Sequence, residues 1–183
     1  MLRRELQNDF QILSIDLPDH GKSVFTDKFS YQHYANLIIG LLDRLNISKV
    51  SLVGHSMGGK VAMTIALNHQ TRIGSLVIID IAPVKYKPRH TNIFKGLTSV
   101  DLAKLADRKQ ADIILSGFIP ELGVRQFLLK SLYQSDEGWK WRFNLTLLQR
   151  DYDRLSMEIT ENHSYDKPSL FIKACKCGVN CPL

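Results

Sequence analysis

The chain has 183 residues, 44% of them hydrophobic, which suits one globular domain with a real core. Its net charge of +6 favours anionic partners, but the excess is local: between Lys85 and Lys109 stand seven Lys/Arg against two Asp. No nucleic-acid-binding motif accompanies that stretch, Met1–Leu6 lacks the apolar core of a signal peptide, and the longest apolar runs are strand-length, so neither nucleic acid nor a membrane span is expected.

Leu2 to Asn8 reads as the tail of a helix, and Phe10 to Ile15 as a buried strand. The turn formers of Asp16-Leu17-Pro18-Asp19-His20-Gly21-Lys22-Ser23 follow. A loop at the C-terminal end of a strand in an open α/β sheet borders the ligand crevice. His20 therefore either lines a site or, with Asp16, fastens the loop by hydrogen bonds, and the second reading is preferred. Ser30 is a candidate N-cap for a helix whose face is Tyr31, Tyr34, Ala35, Ile38, Leu41, Leu42 and Leu45.

The stretch Leu52-Val53-Gly54-His55-Ser56-Met57-Gly58-Gly59-Lys60 carries the chemistry. An apolar run, Val50 to Val53, meets Gly-x-Ser-x-Gly, and a helix-like run, Val61 to Leu67, follows at once. Strand, tight turn and helix are the context of a nucleophile elbow, which lifts the Ser hydroxyl to the apex of a strained turn. Gly54 and Gly58 are expected to lack the Cβ atoms that would collide where strand and helix pack. The backbone N–H of Met57 opens the helix, and its dipole points at the reaction centre. The bland alternative is a glycine-rich connector. Hydrolase folds built on such an elbow usually need more chain than this.

Gly74 to Pro83 is another apolar strand, which places the carboxylate of Asp80 at the same sheet edge as Ser56. Near-continuous apolar strands alternating with helices predict a parallel sheet covered on both faces. Asp80 is either a loop anchor or the orienting acid of a triad. From Val84 to about Asn162 strand signals stop. Ile93–Leu105, Gln110–Ser116, Glu121–Leu132 and Asn144–Leu155 read as helices, with Gly138–Phe143 as a short extended piece. The insertion reads as a helical cap over residues 84–166, between core segments 1–83 and 167–174. Its Phe94, Leu97, Phe118, Phe127, Trp139 and Trp141 line an acyl pocket or form the cap's own core. Lys85, Lys87 and Arg89 would suit an anionic leaving group such as coenzyme A, and a solvated basic face explains them equally. Ser169–Ile172 is a last strand. Residues 175–183 form an atypical tail holding all three cysteines, Cys175, Cys177 and Cys181. A disulfide-dependent protein would distribute its cysteines, so a cytoplasmic location is expected. Three thiolates without a fourth ligand make a poor metal site, and neither metal nor cofactor is expected.

A serine nucleophile needs a base, and the base needs an orienting acid. Only His90 and His163 follow Asp80, and both precede the last strand. The ordered set of Asp16…His20-Gly21-Lys22-Ser23, Gly54–Lys60, Asp80-Ile81-Ala82-Pro83-Val84, Gln126–Ser131, Trp141-Arg142-Phe143-Asn144 and Pro168–Ile172 resembles the α/β-hydrolase superfamily. It is most like the small bacterial carboxylesterases of the YbfF type, over about residues 8 to 172. The resemblance implies Ser56 as nucleophile, Met57 as an oxyanion-hole donor and Asp80 as triad acid. It implies a serine esterase or thioesterase acting on a small-molecule acyl ester through an acyl-enzyme. The family's opening strands with their His-Gly oxyanion loop, and its later Gly-His segment with the catalytic histidine, have no counterpart here. The sequence therefore reads as truncated or frame-shifted, and the alternative function is a catalytically impaired fragment.

Overall fold

The computed structural model describes residues 2–88, 90–160 and 163–173. After a short helix, α1 (Leu2–Leu6), the chain runs to α2 (Tyr31–Arg44), β1 (Val50–His55), α3 (Met57–Asn68) and β2 (Ile73–Ile79). The Ser30 side chain accepts from the His33 N–H at 3.0 Å and starts α2, as its position predicts. Tyr34, Ala35, Ile38, Ile39 and Leu42 form the buried stripe of that helix. Arg72, in a single 3-10 turn before β2, donates to the Ile47 and Ser48 carbonyls, each at 2.8 Å, and pins the end of α2 to the sheet.

Strand β1 pairs in parallel with β2, and β2 with β5 (Ser169–Ile172), giving a three-stranded sheet in the order β1-β2-β5. The two predicted apolar strands around the elbow and the late strand are thus all present. The two-sided cover is not. Helices α2 and α3 bury one face, taking in Ile73, Leu76 and Ile78, while Ser51, Val53 and His55 of β1 and all of β5 are exposed among the described residues. Phe10 to Ile15 also departs from expectation. Among the described residues this apolar segment pairs with no strand: a cleft separates it from β1, and an unpaired backbone cannot form a ladder.

Between β2 and β5 stand α4 (Thr91–Ser99), α5 (Arg108–Ser116), α6 (Leu122–Leu129), β3 (Leu132–Ser135), β4 (Gly138–Trp141), α7 (Leu145–Arg150) and α8 (Tyr152–Ser156). The expected helices are present with other bounds: the first and third are shorter, the second starts two residues earlier, at Arg108, and the fourth is divided into α7 and α8. The first ends at Ser99, because Val100 turns extended. Leu132 belongs to an antiparallel hairpin, in which it faces Trp141. Gly138, at φ 109°, makes the turn that lets the hairpin close. Leu97, Leu115, Leu132 and Trp141 share one hydrophobic cluster. Leu147 of α7 instead joins the cluster of α2, α3 and the sheet.

Candidate active site

The elbow is built by local geometry. β1 ends at His55, Ser56 turns at φ 51° and ψ −122°, and Met57 is the first residue of α3. That left-handed φ is costly for a residue with a Cβ, so the turn stores strain at the serine. The Ser56 side chain makes no capping hydrogen bond to α3, although serine is among the best N-caps. Ser56 is exposed. Met57, the first helical residue, carries an N–H without an acceptor inside the helix.

The glycine that admits this packing differs in part from the expected pair. A Cβ on Gly54 would lie 2.4 Å from the Gly58 carbonyl oxygen, so Gly54 is required. A Cβ on Gly58 would meet nothing closer than Leu17 Cδ1, at 3.9 Å. Gly59 is the second constrained position: a Cβ there would sit 2.5 Å from Ile81 Cγ2 and 3.2 Å from the Gly54 oxygen. The opposing Ile81 comes from the segment after β2, so the pattern around the serine gives no sign of it.

Asp80 follows β2 directly, with φ 54°, and its N–H donates to the Ile172 carbonyl at 2.7 Å. The Ser56 N–H donates to the Ile79 carbonyl at 3.0 Å. Ser56 and Asp80 thus stand on adjacent strands at one sheet edge.

A cleft of about 680 Å³ lies between residues 11–17 and the free edge of β1. Ile38, Val61 and Ile65 line it, and Ser56, Met57 and His20 stand along its wall. Of the two readings considered for His20, the structure has the loop-fastening one, and His20 also stands beside the cleft. Its Nδ1 is 3.0 Å from the Pro18 carbonyl. Asp16 fastens the same loop, accepting from the Lys22 N–H at 3.0 Å, and a Cβ on Gly21 would strike its carboxylate. The loop is held from within by Asp19, which is fully buried. Its carboxylate accepts from the Thr26 N–H at 2.7 Å, Thr26 Oγ1 at 2.6 Å, Tyr34 Oη at 2.6 Å and Asn144 Nδ2 at 2.8 Å. Burial alone would push that carboxyl up, but the hydrogen bonds from Thr26, Tyr34 and Asn144 outweigh it and hold the group below its ordinary value. Asn144 ties the loop to the inserted segment, as does the Gly21 N–H, which donates to the Arg142 carbonyl at 2.6 Å.

Neither candidate base meets Ser56. His90 Nδ1 lies 2.9 Å from Tyr152 Oη, His163 is exposed, and among the described residues no histidine is hydrogen-bonded to Ser56 Oγ. The six residues suggested for an acyl pocket also lie away from this cleft. Leu97 and Trp141 are buried in the insertion's own cluster, Trp139 packs on it, and Phe127 is 68% exposed. None of the six lines the cleft beside Ser56. Lys85 and Lys87 are exposed. Arg89, Cys175, Cys177 and Cys181 lie outside the described residues.

A parallel sheet, an elbow serine at its C-terminal edge and a helical insertion between strands define an α/β hydrolase, and the α/β hydrolase fold model matches residues 2–109. The chain belongs to that family. Among its relatives, Esterase YbfF of Escherichia coli is 37% identical over 173 residues, covering 94% of this chain and 66% of the relative. An sn-1-specific diacylglycerol lipase of Mus musculus is 34% identical, over 88% of this chain and 55% of its own length. In structure, a marine microorganism esterase superimposes with a TM-score of 0.90 at 30% identity, covering 94% of this chain and 69% of the other. The chain thus spans between about half and two thirds of the length of these curated relatives.

Proposed function

We propose that this chain carries the nucleophilic half of a serine ester hydrolase. Ser56 attacks an acyl carbonyl, the Met57 N–H stabilises the oxyanion, and Asp80 is the acid that orients a base. The observation that carries the reading is the strained, uncapped Ser56 between β1 and α3, with the helix N-terminus behind it. The names of the relatives, an esterase and a diacylglycerol lipase, support a small-molecule acyl ester over a thioester as substrate. Among the described residues no helix is long and apolar enough to cross a membrane, and the location proposed is the cytoplasm. A fluorophosphonate probe should label Ser56 covalently, and Ser56→Ala should abolish the labelling. Folded protein that resists the probe would sink the assignment.

A second reading is favoured by the histidine geometry: a hydrolase with impaired turnover. Without a base on Ser56 Oγ, turnover of a serine hydrolase falls on the order of a million-fold. Slow hydrolysis of a short p-nitrophenyl ester alongside measurable probe labelling supports this reading, and fast turnover that depends on Ser56 overturns it.

A further inference from the structure

Lys60 is a buried cation that the chemistry at Ser56 does not use. It lies one helical turn after the nucleophile, its N–H reaching back to the Ser56 carbonyl at 3.2 Å, and it is only 1% exposed. An ammonium is expensive to bury unless polar groups replace its water. Here two main-chain carbonyls do so. Nζ donates to the Val84 oxygen at 3.2 Å and to the Met157 oxygen. The rings of Tyr86 and Tyr31 flank it, with centroids at 5.2 Å and 5.6 Å, within cation–π range. Burial lowers the affinity of this amine for its proton, and the Glu158 carboxylate opposes that shift.

The identity of the two carbonyls gives the arrangement its meaning. Val84 lies where the chain leaves β2 for the inserted helices, and Met157 where it returns from them. These segments are joined to each other by the Tyr86 N–H on the Ser156 carbonyl at 2.8 Å and the Ile159 N–H on the Pro83 carbonyl at 3.0 Å. They form a two-stranded stalk that carries the whole insertion. Tyr31 Oη donates to the Leu155 carbonyl at 2.7 Å and braces the same stalk from α2. A residue that only filled core volume would need neither the charge nor two acceptors on opposite strands of the stalk.

We infer that Lys60 is a positioning residue, a clamp that fixes both strands of the stalk to the elbow helix and so sets the seat of the inserted segment relative to Ser56. Its consequence for substrate rests on Ser56 being the nucleophile, while the clamp itself does not. Lys60→Met keeps the length of the side chain and removes the donors.

The full chain and the variant are compared by hydrogen exchange and by labelling with a short-chain and a long-chain fluorophosphonate. The clamp predicts that amides of the stalk, Tyr86 and Ile159, exchange about tenfold faster in Lys60→Met, the loss of roughly one charge-assisted hydrogen bond. The amides of β2 should keep their rate, and the ratio of long-chain to short-chain labelling should change. Lys60→Arg, which keeps the charge, should recover part of the protection. Unchanged stalk exchange overturns the clamp. Equal acceleration in stalk and β2 also overturns it, because that describes a general loss of stability. If the unaltered chain labels with neither probe, the nucleophile assignment fails and the exchange comparison alone decides the clamp. Should Lys60→Met not fold, Tyr86→Leu, which removes one aromatic wall and the hydroxyl that the Ala82 N–H donates to, carries the same comparison.

Discussion

Ser56 and Asp80 leave neighbouring parallel strands at the same level, each one residue past the last ladder pair, His55 with Ile79, and each with a positive φ, 51° and 54°. Adjacent strands run about 4.8 Å apart, so the two backbones turn away from the sheet side by side. Both side chains are exposed at that edge. Among the described residues no histidine is hydrogen-bonded to the serine.

That arrangement predicts chemical rescue. Added imidazole should raise the rate at which a fluorophosphonate labels Ser56, because a free base can take the hydroxyl proton. Asp80→Asn should remove most of the gain, since the amide cannot stabilise the imidazolium as a carboxylate does. Rates are read by mass spectrometry of the labelled chain. An imidazole effect of equal size in both proteins would remove Asp80 from the proposed site.

The glycines of the elbow separate cleanly by substitution. Gly54→Ala places a methyl 2.4 Å from a backbone oxygen, and Gly59→Ala places one 2.5 Å from Ile81 Cγ2. Each should destabilise by about 1–3 kcal/mol or more, because the strand, the helix and the segment after β2 must all shift. Gly58→Ala meets only ordinary contact and should be neutral, or gain up to about 1 kcal/mol from helix propensity. Urea denaturation followed by circular dichroism distinguishes the three.

The same site shows what a sequence can and cannot reveal. Strand, turn and helix around Ser56 are adjacent in the chain, so periodicity and Gly-x-Ser-x-Gly expose them directly. Asp80 is legible for the same reason, as a carboxylate ending an apolar strand. Gly59 is not, because its opposing Ile81 is brought in by the tertiary fold. Lys60 reads as a polar residue near a helix start, and its burial depends on carbonyls 24 and 97 positions away. Phe10 to Ile15 has the composition of a strand, but a strand needs a neighbour, and no local signal reports whether one is present. Of the hairpin, the second strand, Gly138–Trp141, falls within the extended piece read from the sequence, whereas the four residues Leu132–Ser135 are too short for a period-two pattern to stand out against the preceding helix.

Asp19 sets an acid limit on stability. Its carboxyl is held below the ordinary value of 3.8, so the native state binds this proton less readily than the unfolded chain does. The contribution is therefore complete above about pH 4 and is lost as pH falls through the native value. Asp151, held down to about 2 chiefly by its hydrogen bond from Arg150, with the Phe29 N–H helping, adds loss over the same interval down to about pH 2. Asp19→Asn should cost about 2–4 kcal/mol at pH 7, since the amide turns a donor toward Thr26 or Tyr34 in a buried site. The penalty should shrink as pH drops below 4. Thermal melts of both proteins from pH 7 to pH 2 test this, and a penalty independent of pH would show that the charge of Asp19 is not what the network holds.

The aromatic residues of the inserted segment should divide by burial and not by proximity to substrate. Trp141 is 7% exposed, stacks on Phe143 with centroids 5.4 Å apart, and faces Leu132 across the hairpin. Phe127 is 68% exposed on α6. Truncating a buried aromatic removes both its transfer free energy and its packing, so Trp141→Ala should cost about 3–5 kcal/mol. That loss should fall first on the helices and hairpin of its own cluster, which shares none of its buried residues with the cluster that covers the sheet. Hydrogen exchange should therefore rise in α4, α5 and α6 before it rises in β1 and β2. Phe127→Ser should leave stability within about 0.5 kcal/mol, because no buried contact is lost. Neither residue lines the cleft beside Ser56, so the rate of labelling by a short-chain fluorophosphonate should be unchanged in Phe127→Ser. A large rate change there would return Phe127 to the acyl-binding surface and would require the inserted segment to close over the serine in the reacting state.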